Sequence, residues 1–126
     1  MKRIVIADDS GTARLFIKRC LEIAGFEDAE FLEAANGREA LELLKEQPAD
    51  LVVTDLIMPE MNGVSLLRRI KSSPRMHEIP VIVVTSAASP QKIEELKNMQ
   101  ALAVVSKPIS PPEVAEAIEP LISEEE

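Results

Sequence analysis

Three carboxylates, a hydroxyl and an ammonium stand at equivalent places along this chain, each closing a short apolar run. Asp8 and Asp9 follow Ile4–Ala7, Asp55 follows Leu51–Thr54, Thr85 follows Pro80–Val84, and Lys107 comes just after Leu102–Val105. A carboxylate is costly among apolar groups unless it is paired, metal-bound or wet. Drawn together, the three acids would repel: at ~5 Å and an effective dielectric of ~20, each pair costs about 3 kcal/mol. Lys107 offsets part of this and a divalent cation offsets more. The donors are hard oxygens with no imidazole or thiolate nearby, which selects Mg²⁺, or Mn²⁺, over zinc. An Asp beside such an ion is a competent nucleophile toward phosphorus and yields an aspartyl phosphate. The ion and Lys107 would neutralise charge on the transferring group, and the Thr85 hydroxyl would donate to one of its oxygens.

Whether these groups meet depends on the elements that carry them. Lys2–Asp8, Leu51–Thr54, Pro80–Val84 and Leu102–Val105 read as strands buried on both faces, and Ala29–Ala35 as a weaker strand left through Asn36-Gly37. Helical patterns fill the intervals. The first is capped by Ser10, carries Ala13, Phe16, Ile17, Cys20, Leu21 and Ala24 on one face, and is expected to stop at Gly25. The second, Gly37–Gln47, buries Ala40, Leu41 and Leu44 ahead of Pro48; the third, Gly63–Ser72, turns Val64, Leu67 and Ile70 inward. Ser89-Pro90 opens a fourth helix with Ile93 and Leu96 inward. Ser110-Pro111-Pro112 opens a fifth with Val114, Ile118, Leu121 and Ile122, kinked or frayed at Pro120, whose missing donor leaves Glu116 unbonded. Five strands alternating with five helices predict an α/β domain with a parallel sheet covered on both faces. With strand order 2-1-3-4-5, strand two is an edge. The other four carboxyl ends then converge on one crevice, where open sheets of this kind bind ligands.

Composition narrows the function classes. At 126 residues, 46% hydrophobic and 29% charged, one domain is expected over residues 1–123 with a solvated acidic tail at 124–126. There is neither a ~20-residue apolar span nor a signal-peptide pattern, so a cytoplasmic location without membrane contact is expected. The net charge of −8 opposes a nucleic-acid partner, and a lone cysteine, Cys20, excludes disulfide frameworks and thiolate zinc sites.

In these residues the chain resembles the receiver domain of two-component response regulators. Asp8-Asp9, the string Asp55…Met58-Pro59…Gly63, Thr85-Ser86 and Lys107-Pro108 fall in order at the ends of the expected elements, and the likeness covers Lys2 to about Ile122. The resemblance implies a flavodoxin-like (βα)₅ three-layer sandwich with Asp55 as phospho-acceptor. It implies Mg²⁺ bound directly by Asp9, Asp55 and the Ile57 carbonyl, with Asp8 acting through water. Thr85 would be the switch hydroxyl, Lys107 the phosphate-pairing base, and the Lys107-Pro108 bond cis. The phosphodonor would be a histidine kinase, a histidine phosphotransfer protein or a small acyl phosphate. With no effector domain expected, output would pass to a separate downstream protein through the fourth helix, fifth strand and fifth helix. A monomer or weak dimer is expected. The chain departs from the family at Val104, where the usual residue is an aromatic switch ring, so a muted or rerouted rearrangement of that face is expected. Ile57 and Ala87 are apolar where some relatives guide water, which predicts slow self-dephosphorylation.

The same residues admit other readings. Asp8-Asp9 alone suits a helix cap, Thr85 alone a strand end, and Lys107 alone a solvated lysine; their coincidence at four strand ends favours a site. A phosphatase with an aspartate nucleophile needs a second acid two residues on, and that position is Ile57. The remaining alternative is a receiver-like interaction module that is not phosphorylated. His77 is expected at the surface, Cys20 in the core, Met58, Met61 and Met76 in packing roles, and Arg68, Arg69, Lys71 and Arg75 on a solvated helix face.

Overall fold

Strands and helices alternate without exception in the computed structural model, which describes residues 2–123. The order is β1 (Arg3–Ala7), α1 (Gly11–Leu21), β2 (Glu30–Ala34), α2 (Gly37–Glu46), β3 (Leu51–Asp55), α3 (Gly63–Lys71), β4 (Val81–Thr85), α4 (Pro90–Asn98), β5 (Ala103–Ser106) and α5 (Pro111–Ser123). The strands form one parallel sheet in the order β2-β1-β3-β4-β5, with Val5 opposite Leu32 and Val52, and Ile82 opposite Val53 and Ala103. This is the flavodoxin-like (βα)₅ sandwich expected from the alternation.

Successive strand side chains point to opposite faces, and this splits the apolar residues into two cores. Ile4, Ile6, Val53, Ile82 and Val84 pack under α1 and α5 with Ile17, Cys20, Leu21, Val114 and Ile118. Val5, Ala7, Val52, Val81 and Val83 pack under α2, α3 and α4 with Leu41, Leu44, Leu66, Leu67, Ile70 and Leu96. Both faces of the central strands are therefore apolar, which is why those strands read as unbroken hydrophobic runs. Side-chain oxygens hold the helix starts: Ser10, Asn36, Asn62 and Ser89 accept from the amides of Ala13, Glu39, Ser65 and Lys92 at 3.2, 2.9, 2.9 and 3.1 Å. Glu39 reaches back to the Ala35 amide at 2.9 Å, completing a reciprocal cap at α2.

Several local expectations need correction. Helix one changes character before its stop: α1 ends at Leu21 and continues as a π-helical turn, Glu22–Phe26, and the helical backbone breaks at Gly25, φ 132°, where the sequence places its end. A Cβ at Gly25 would also lie 3.0 Å from Ile122 Cδ1, so glycine serves both the backbone and the packing under α5. Phe16 is 48% exposed, because the buried stripe of α1 narrows to Ile17, Cys20 and Leu21. In α3 the fully buried residues include Leu66, while Val64 and, on α4, Ile93 are only half-buried. Helix α5 runs unbroken through Pro120 to Ser123 instead of fraying, anchored by the buried Val114 and Ile118. The acidic tail, 124–126, lies outside the described residues.

Candidate functional site

The carboxyl ends of β1, β3, β4 and β5 meet at one edge of the sheet. Oxygens of Asp8, Asp9 and Asp55 all lie within 4.8 Å of one another. Lys107 Nζ donates to Asp8 Oδ2 at 3.0 Å and to Asp55 Oδ2 at 3.3 Å. Asp8 is 1% exposed, and its other oxygen accepts from the Ser10 amide at 2.9 Å. Asp55 Oδ1 accepts from the Leu56 amide at 2.7 Å. Asp9 is exposed, and among the described residues its carboxylate accepts no hydrogen bond. The pocket thus holds two tied acids and one free one.

Thr85 closes β4 with its side chain buried; its Oγ1 accepts from the Ala87 amide at 3.0 Å, which leaves the hydroxyl proton available. Its carbonyl accepts from the Lys107 amide at 2.9 Å, locking the start of the lysine loop to β4, and the Lys107–Pro108 peptide is cis. Val104 sits on β5 opposite Val83, half-buried against the α2–α3–α4 core. The Ile57 side chain is 65% exposed on the loop after Asp55.

That loop is held tightly. The Gly63 amide donates to Leu56 O at 2.8 Å, and a Cβ at Gly63 would lie 2.2 Å from the Asp55 carbonyl oxygen. Only glycine lets α3 begin this close to the strand end. Asn36 Nδ2 donates to Glu60 Oε2 at 2.9 Å, and the Gly37 amide donates to Met61 O at 2.9 Å, so the β2–α2 turn also grips the loop. Glu60 adopts φ 62°, a left-handed conformation uncommon for a residue with a side chain.

Burial by itself would lower the Lys107 pKa, but hydrogen bonds and attraction from Asp8 and Asp55 outweigh it and hold it above the ordinary lysine value. The ammonium is therefore fixed at neutral pH. Three carboxylates facing one ammonium leave an excess of negative charge, and an all-oxygen donor set suits Mg²⁺. The residues present fit such an ion.

Three contacts had no counterpart in the sequence reading. Arg14 reaches the Asp8 backbone carbonyl, Asn36 reaches Glu60, and the Leu56 amide holds Asp55. No spacing rule flags the first two, because each depends on how a helix or turn packs against a loop; the third is a local bond from the amide of the next residue. The remaining single residues lie quietly: His77 is exposed, Cys20 is buried with its thiol pKa raised by desolvation, and Met58 is buried. Arg68, Arg69 and Arg75 are exposed, whereas Lys71 Nζ donates to the carbonyls of His77 and Ile79 at 3.0 and 2.7 Å.

A parallel (βα)₅ sheet with an acidic pocket and a lysine at its carboxyl edge defines the receiver class of signalling domain. The chain belongs to the response regulator receiver domain family, whose sequence model matches residues 4–119. It is similar to the chemotaxis protein CheY of Thermotoga maritima, 40% identical over 118 residues that cover 93% of this chain and 94% of that protein. It is also similar to chemotaxis protein CheY1 of Helicobacter pylori (strain 26695), 35% identical over 119 residues with the same coverage, 93% and 94%. Among solved structures, the receiver domain of a DNA-binding response regulator from Colwellia psychrerythraea superposes with a TM-score of 0.87 at 28% identity, covering 98% of this chain and 99% of that one. A receiver domain protein from Clostridium thermocellum gives 0.81 at 30% identity, covering 99% and 97%. Receiver domains of this kind are signalling modules of two-component systems that interact with histidine kinases and downstream proteins. No helix among the described residues is long and apolar enough to cross a membrane.

Proposed function

We propose that this protein is a phosphorylation-dependent switch in which Asp55 accepts a phosphoryl group and the modified domain changes its affinity for a downstream protein. The carrying observation is the pocket itself: three carboxylates within 4.8 Å of one another, with the Lys107 ammonium on Asp8 and Asp55 at 3.0 and 3.3 Å. An Asp55 oxygen attacks phosphorus in line with the leaving group. The new O–P bond forms as the P–N bond of a phosphohistidine, or the P–O bond of an acyl phosphate, breaks; the bonding pair departs with the imidazole or the carboxylate. Asp8, Asp9, Asp55 and the Ile57 carbonyl would hold Mg²⁺, or Mn²⁺ in its place, and the ion would supply neutralisation of the phosphoryl charge. Lys107 pairs with a phosphoryl oxygen, and the Thr85 hydroxyl donates a hydrogen bond to another. The protein catalyses its own modification and its loss, not turnover of an outside substrate.

The donor is a histidine kinase or histidine phosphotransfer protein, with small acyl phosphates as substitutes. An apolar groove of about 420 Å³ beside the pocket supports a protein donor: Phe16, Ile17, Pro108 and Ile109 line it next to Lys107, and Leu15 and Phe16 are half exposed. The downstream protein reads the α4–β5–α5 face, and the domain works in the cytoplasm as a monomer or weak dimer. Val104 favours the rival reading, an interaction module that is never phosphorylated. Incubation with acetyl phosphate and Mg²⁺ followed by mass spectrometry separates the two. One added phosphoryl group in the wild type, absent from Asp55→Ala, is expected; no adduct on the wild type would leave the rival standing.

A further inference from the structure

The Asp9 carboxylate is the one acid of the pocket that no side chain or amide holds among the described residues. Its direction must come from its backbone, and one residue fixes that backbone. Arg14 Nη1 donates to the Asp8 carbonyl oxygen at 2.6 Å, the oxygen of the Asp8–Asp9 peptide. Arg14 Nε donates to Glu33 Oε1 at 2.7 Å, tying the same guanidinium to β2. The arm is laid along the loop, with Nη2 3.4 Å from where a Cβ on Gly11 would stand, and it is 20% exposed. Asp8 is held a second time through its amide, which donates to Ala34 O at 3.0 Å. Both ends of the Asp8 residue are therefore moored to β2, and the peptide that carries Asp9 cannot rotate while Arg14 stays in place.

We infer that Arg14 is a positioning residue for the acid cluster: it clamps the Asp8–Asp9 peptide so that the otherwise unsupported Asp9 carboxylate stays directed at Asp8 and Asp55. This rests on the Mg²⁺ reading proposed above. Outer contacts that orient ligands are worth about 10–100-fold in metal affinity. The guanidinium bridges a carbonyl and a carboxylate from two nitrogens of its fixed fork, Nη1 and Nε, and the single nitrogen of a lysine cannot occupy both positions.

Charge and position predict opposite signs. Arg14 is a cation close to the cluster, so as a mere charge its removal would tighten Mg²⁺. As a clamp, its removal weakens Mg²⁺. The test is calorimetric titration of the full chain with MgCl₂ at constant ionic strength, for wild type, Arg14→Ala and Arg14→Lys. About a tenfold rise in Kd is expected for both variants. With acetyl phosphate, the Mg²⁺ concentration for half-maximal phosphorylation should rise in step while the rate at saturating Mg²⁺ stays within about twofold. Arg14→Lys keeps the charge and the aliphatic stem, so it decides the matter even if Arg14→Ala folds poorly. An Arg14→Lys Kd equal to that of the wild type, or tighter binding by Arg14→Ala, overturns the inference while leaving the proposed function intact. A wild type that binds no Mg²⁺ overturns both.

Discussion

Lys107 lies closer to Asp8 than to Asp55: its ammonium is 3.0 Å from Asp8 Oδ2 and 3.3 Å from Asp55 Oδ2. The lysine therefore rests mainly on the most deeply buried acid, with Asp55 as its second partner. An incoming phosphoryl group would compete for the weaker of two bonds, so Lys107 can turn toward it without abandoning Asp8.

The raised Lys107 pKa sets the sign of a pH effect. A base whose pKa is higher folded than unfolded contributes stability in full below the unfolded value, about 10.4 for lysine. That contribution is lost as pH climbs through the folded value above it. Urea denaturation from pH 8 to above pH 11 should show a decline at the alkaline end that Lys107→Met lacks. At neutral pH that variant should be destabilised by about 2 kcal/mol, since Asp8 is left buried without its cation, and Mg²⁺ should restore part of the loss.

Gly63→Ala places a methyl 2.2 Å from the Asp55 carbonyl oxygen. Backbone must move, because the obstructing atom belongs to the strand that carries the acceptor. A destabilisation of about 2 kcal/mol or more is expected from thermal melts, together with a marked loss of acetyl-phosphate labelling at Asp55.

Val104, smaller than a ring, is half-buried against the core that includes Leu96 of α4. On binding a beryllofluoride mimic of the phosphoryl group, amide shifts in the wild type should be smaller along α4 than around Asp55. Val104→Tyr should enlarge the α4 shifts, at a stability cost of about 1–3 kcal/mol if the ring packs inward. Wild-type shifts on α4 as large as those at the pocket would sink this expectation.

Ile57, exposed and two residues past Asp55, and Ala87, two residues past Thr85, carry apolar side chains with no group to orient water. The aspartyl phosphate should therefore persist for minutes or longer, as followed by loss of the mass adduct after donor removal. Ile57→Gln should shorten that lifetime. A wild-type half-life of seconds would contradict it.

How much of this was legible beforehand depends on the range of the interaction. A parallel sheet brings its carboxyl ends to one edge, so Asp8, Asp55, Thr85 and Lys107 were legible as neighbours once the four apolar runs were read as strands. The caps at Ser10 and Ser89 were legible because a side-chain oxygen reaches an amide three residues on. Phe16 was misplaced because helical spacing gives a stripe but not its width. Leu66, beside Leu67, was missed for the same reason: α3 buries a broad face between α2 and the sheet. Pro120 was expected to kink or fray α5, yet Pro120 and Glu116 both sit on the exposed side, where solvent can satisfy the freed carbonyl. Arg14 and Glu60 could not be read at all, since Arg14 spans the Asp8 carbonyl and Glu33 of β2, and Glu60 meets Asn36, groups brought near only by the finished fold.

The grip on the loop after Asp55 gives the pocket one stiff wall and one yielding wall. On the stiff side Gly63 is fastened to Leu56, and Asn36 and Gly37 hold Glu60 and Met61. On the other side the Thr85 hydroxyl is tethered by a single amide, that of Ala87, in a stretch without regular structure before α4. Added charge at Asp55 would find little give toward α2 and α3, so the displacement it causes must travel outward along β4, as a door swings only on its free edge.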